Sequence, residues 1–162
     1  MFKHAYIYHI FCYVFMLQGY IQAIKSSIPI NSLIGLGASI GAAVLTLGLG
    51  MDTPWIPWDP LSGTFYPPQL FTIASFIATM FFLSIAVIFL KILEKITPSA
   101  IKLWRICGIV FLLLYGVVSF GSGTFEAGIM LNILHLIVGI PALILIPSVF
   151  ETEKTKTNQQ LS

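Results

Sequence analysis

Four apolar runs, 30–51, 70–90, 103–121 and 127–149, each hold 19 to 23 residues and carry no Lys, Arg, Asp or Glu in their middle. A run of that length crosses the hydrocarbon of a bilayer once as a helix. Lipid offers the backbone no hydrogen-bond partner, so only helices and closed barrels cross it, and runs without two-residue alternation select helices. The chain is 57% hydrophobic and 9% charged over 162 residues, more apolar surface than a water-soluble globule of this size buries. The sequence therefore predicts an all-α, membrane-embedded four-helix bundle over residues 30–150.

The eight basic residues orient it. Lys3 and Lys25 precede the first run, Lys91, Lys95, Lys102 and Arg105 bracket the link between the second and third, and Lys154 and Lys156 follow the fourth. By the positive-inside rule both termini and that link are cytoplasmic, in what reads as a bacterial inner membrane. The outer loop, 51–69, then carries Trp55 and Trp58 as interface anchors beside Phe65 and Tyr66, and its five prolines predict a short ordered cap. A net charge of +2 spread along the flanks excludes a nucleic-acid surface.

Residues 1–29 read as an aromatic, amphipathic segment lying along the inner leaflet and joining the first span through Pro29. Met16 offers a second start, in which case residues 1–15 are an upstream extension. Residues 151–162 are polar and mixed in charge, and are expected to form a disordered cytoplasmic tail. Cys12 and Cys107 follow no redox or metal spacing, so neither a disulfide nor a metal is expected.

Small and polar residues recur at helical spacing within each run: Gly35, Ser39, Ala42 and Thr46; Thr72, Ser75 and Thr79; Gly108, Tyr115, Ser119 and Ser122; Gly128, Asn132, His135, Gly139 and Ala142. Helices in lipid associate through close backbone approach and interhelical hydrogen bonds, so these stripes are expected to face one another. Gly37 and Gly41 form a G-x-x-x-G pair, for which packing within one chain is favoured over a homodimer seam.

His135 is the one ionisable side chain deep inside a run. Charging an imidazole in hydrocarbon is costly, so the neutral form is expected, either bonded to a hydroxyl such as Thr46, Thr79 or Tyr115 or serving with Asn132 as a ligand or proton site. Asp52, Asp59 and Glu126 are candidate acids at the outer mouth. No phosphate-binding loop, nucleophile elbow, zinc or dinucleotide motif occurs, so no catalytic residue and no cofactor is expected.

The first helix GLGASIGAAVLTLGLG, the Pro-rich loop, the basic end of the second span and the last helix MLNILHLIVGIPALILIP together resemble a family of small bacterial four-helix membrane proteins classed as a domain of unknown function. Leu134-His135 followed by Pro141 is similar to that family's Met-His pattern, with Leu standing where Met is usual. The resemblance implies a four-helix bundle and draws attention to His135. Three functions stay open: a non-enzymatic accessory subunit that meets a membrane-protein partner or a second copy; a small transporter or proton-coupled channel using Asn132 and His135; and an enzyme acting on a lipid or quinone.

Overall fold

The computed structural model describes residues 2–55 and 64–160, with side chains described over 17–55 and 64–151. Its helices are α1 (Phe2–Ala43), extended by a π-turn (Val44–Gly48), α2 (Pro68–Ile96), α3 (Ala100–Val118), extended by a 3-10 turn (Ser119–Gly121), and α4 (Phe125–Gln160). Four stretches are long and apolar enough to cross a membrane: Leu17–Gly48, Pro68–Ile96, Ala100–Gly121 and Phe125–Glu151. The all-α, four-helix expectation is met. Each helix runs antiparallel to the next, with α1 and α3 each packed on α2 and α4. The ends of the chain therefore share one face with the Lys91–Lys102 link.

The joint expected at Pro29 is absent: α1 passes through Pro29 as one helix of 42 residues. The missing N–H of Pro29 leaves the Lys25 carbonyl without its helical donor, while in the turn before it Ser26 Oγ donates to the Gln22 carbonyl at 3.0 Å and Ser27 Oγ to the Ile24 carbonyl at 2.9 Å. From Leu17 onward the segment packs on the bundle. Ala23 and Ser27 are fully covered, and Ala23 joins Leu90, Leu93, Trp104, Ile146 and Phe150 in the core cluster of the basic end. Burial of that one face outweighs the pull of the leaflet surface. At the other terminus α4 stays helical to Gln160, into the stretch expected to be disordered. Glu, Lys and Gln are good helix formers, and extending an existing helix is far easier than nucleating one.

The basic end is held by cations lying on aromatic rings. Lys91 Nζ bonds Glu94 Oε2 at 3.1 Å and sits 4.7 Å from the centre of the Phe150 ring. Lys95 Nζ lies 4.6 Å from the Tyr20 ring centre and 3.3 Å from its hydroxyl. The end of α2 thereby grips both α1 and α4. Deeper in, Trp104 Nε1 donates to the Ala86 carbonyl at 2.9 Å, tying α3 to α2. Pro147 removes the N–H that the Leu143 carbonyl would use in an unbroken helix, and Arg105 Nε donates to that oxygen at 3.3 Å.

Glycines set how closely the helices approach. A methyl group on Gly128 would lie 2.5 Å from the Phe120 ring and 3.0 Å from the Phe120 backbone, and one on Gly139 would lie 2.5 Å from Leu112. A methyl group on Gly41 would lie 2.9 Å from Ile137 of α4, whereas one on Gly37 would come no nearer than 3.9 Å to it. The Gly41 face of the G-x-x-x-G pair is thus occupied inside this chain, and the tightest seam is α3 on α4. Outward-facing residues such as Val117, 75% exposed, and Leu113, 69% exposed, are apolar, as a lipid-facing surface requires.

Gly128→Ala is expected to lower unfolding stability in detergent by about 1–3 kcal/mol, because backbone must move to admit the methyl group. Gly37→Ala is expected to change it little, and thermal melts of the two variants side by side check the contrast.

Candidate functional site

The polar residues of α4 turn toward α3. Asn132 Nδ2 donates to the Gly116 carbonyl across the seam at 3.1 Å and to the Gly128 carbonyl of its own helix at 2.8 Å. Gly116 is small for this reason: an added methyl would sit 2.9 Å from Asn132 Oδ1. One turn on, His135 Nδ1 lies 3.4 Å from Ser119 Oγ, and its ring stands edge-on to Tyr115, centroids 5.1 Å apart at 77°. Tyr115 in turn lies beside Phe111, 4.8 Å away and tilted by 34°.

The expected grouping therefore assembles in part. His135 and Tyr115 meet, and Asn132 lies on the same seam. Thr46 bonds the Ala42 carbonyl of its own helix at 2.7 Å, and Thr79 is buried on α2. The hydroxyl that reaches His135 is that of Ser119, which belongs to the small-residue stripe of the third run but was not singled out as its partner. The cue lay in spacing: Ser119 is one turn beyond Tyr115 and lands on the same face.

The centre of the half nearer the α1–α2 and α3–α4 loops is apolar. Ala42, Leu45, Phe71, Met130 and Leu134 form its buried cluster, with Gly41 against Leu134 and Ile137. Because Leu134 points inward, its neighbour His135 is placed at the edge, half-buried between α3 and α4. No carboxylate bonds His135 and no group of three metal-ligating side chains occurs among the described residues. A concavity of about 130 Å³ lies at the opposite end, around Thr97, Ser99 and Lys102.

At the loop end, Thr124 caps α4. Its hydroxyl accepts the Ala127 N–H at 3.1 Å and donates to Asp52 Oδ2 at 2.7 Å. Asp52 follows the end of α1 in sequence, where the helix dipole disfavours an acid, yet this bond brings it to the positive end of α4. Glu126, in the first turn of α4, is exposed. Asp59 and Trp58 lie outside the described residues.

Trp55 does more than meet an interface. Its backbone N–H donates to the Ser122 carbonyl at 2.8 Å, joining the α1–α2 loop to the α3–α4 loop, and its ring lies edge-on to Phe65 at 6.4 Å. Gly123, at φ +141°, takes a backbone conformation that side chains rarely adopt, with the Trp55 ring 3.5 Å or less from where a methyl would stand. Thr53 Oγ1 donates to the Tyr66 carbonyl at 2.6 Å, and burial pushes the Tyr66 phenol above its ordinary value.

The family model described as Family of unknown function (DUF6069) matches residues 31–155. No curated protein and no solved structure matches the chain.

Asn132→Ala removes a bond within lipid reach and is expected to cost about 0.5–2 kcal/mol in a denaturant titration. Thr124→Val is expected to cost about 1 kcal/mol through loss of the cap. The raised Tyr66 value means the folded state holds its proton longer, so stability is full below pH 10.0 and falls as pH rises through the shifted value. Tyr66→Phe should remove that alkaline loss, read as melting temperature against pH.

Proposed function

This chain belongs to the DUF6069 family, a family of unknown function, and from that membership and its four apolar helices we propose a multi-pass protein of the bacterial cytoplasmic membrane that works as a non-enzymatic accessory or interaction subunit. In this reading both termini and the α2–α3 link face the cytoplasm, which the placement of all eight basic residues supports under the positive-inside rule.

The observation that carries this reading is the use to which the polar side chains are put. Asn132, Ser39, Trp104 and Arg105 each donate to a backbone carbonyl of a neighbouring helix, Ser39 to that of Thr72 at 3.1 Å. They fasten helices together, and the core clusters between the helices are aliphatic and aromatic, with Ser27, Asn31, Thr46 and Thr79 the polar side chains buried beside them. A channel along the bundle axis would need polar groups turned to the centre, where Met130 and Leu134 stand instead. What the bundle offers outward is a broad apolar wall along α3 and a cap stitched from two loops.

Purification from its own membranes in a mild detergent is expected to recover a stoichiometric membrane-protein partner. Recovery of the chain alone from several detergents would count against the reading, as would proton or solute flux above background from proteoliposomes. Cysteines placed at Thr97 and Ser99 in a Cys12→Ser, Cys107→Ser background are expected to react with membrane-impermeant reagent only when the cytoplasmic side is opened.

A further inference from the structure

The α3–α4 groove leaves two polar atoms facing lipid with nothing to bond. Ser119 Oγ is 2.7 Å from the Tyr115 carbonyl and 3.4 Å from His135 Nδ1, so its single proton goes to the nearer oxygen. Toward the imidazole the hydroxyl is then an acceptor. Nδ1 carries the hydrogen and Nε2 the lone pair, the tautomer being set by the bond the other nitrogen makes. Among the described residues nothing bonds His135 Nε2 or the Tyr115 hydroxyl. Tyr115 is 39% exposed, and His135 is half-buried beside it.

Depth restricts what supplies the missing partner. His135 lies ten residues past Phe125, where α4 begins, which at about 1.5 Å per residue is roughly 15 Å along the helix and well within a hydrocarbon layer of about 30 Å. Water is scarce there, and phospholipid headgroups sit at the surface. The partner must be carried to that depth by an apolar body. The surroundings also have a shape: Phe111 and Tyr115 lie side by side, 4.8 Å apart and tilted by 34°, as a shallow aromatic wall ending at the imidazole edge. Such a wall suits a flat ring.

We propose that this groove binds a planar hydroxylated ring on a lipid-soluble tail, a quinol in chemical class. A ring hydroxyl donates to His135 Nε2, the Tyr115 hydroxyl donates to an oxygen of the same ring, and the ring face rests on Phe111 and Tyr115. The site binds and carries out no redox step. It stands apart from the interaction-subunit reading, since a subunit with or without a protein partner can hold this ligand.

The test uses the full chain, labelled with nitrogen-15 histidine, in nanodiscs of phosphatidylcholine titrated with decylubiquinol. The His135 signal is identified by its loss in His135→Gln. A saturable shift of the unprotonated ring nitrogen is expected, with decylubiquinone, which has no hydroxyl to donate, binding more weakly. Tyr115→Phe is expected to weaken quinol binding by roughly threefold to tenfold through loss of one hydrogen bond. The proposal is overturned if the wild-type signal is resolved and does not move, or if quinol-free nanodiscs containing phosphatidylglycerol produce the same shift, which would make a lipid hydroxyl the occupant. Should His135→Gln fail to fold, the His135 signal is the one that remains in a His4→Gln, His9→Gln chain, so the titration decides the matter without it.

Discussion

A donor or acceptor in hydrocarbon has no water to fall back on, and the architecture of this chain follows from that single scarcity. Backbone groups are satisfied by forming helices. At Pro147, which breaks the pattern, a side chain completes it: Arg105 serves the released carbonyl of Leu143. Side-chain amides and hydroxyls are turned to the same use, so that what first reads as a polar site in α4 is largely a set of fastenings between helices. On that seam His135 differs, because one of its nitrogens is engaged and the other is not, and in the core Asn31 Oδ1 is likewise without a partner.

Helix number and order were legible in the amino-acid string because apolar length acts locally and strongly. The stripes of small residues were legible for the same reason: a period of 3.6 puts Gly128, Asn132, His135 and Gly139 on one face whatever surrounds them. What that face meets is a different matter. Nothing in the string says that α3, and not the centre of the bundle, receives it. That choice depends on Leu134 and Met130 filling the centre against Ala42 and Leu45, a contact between residues about ninety positions apart in sequence.

Two further positions take their meaning from the fold. Asp52 looks badly placed after the end of α1, and only the fold brings Thr124, 72 residues later, within bonding distance. Pro29 looks like a boundary because proline usually ends helices in water, whereas a lipid-facing helix has no better conformation to escape to and continues. Trp58 and Asp59 fall outside the described residues, so the outer mouth is known from Asp52, Trp55 and Glu126 alone.

The attachments of α3 are unequal, and this bears on biogenesis. A polypeptide made from its amino terminus releases α1, α2 and α3 before α4 exists. Of the described interhelical hydrogen bonds of α3, that from Trp104 to Ala86 reaches backward to a helix already in place, while those with Leu143 and Asn132 wait for the last segment. During that interval the described interhelical hydrogen bonding of α3 rests on a single indole, and the apolar packing of Ala100 and Trp104 on α2 must do the rest.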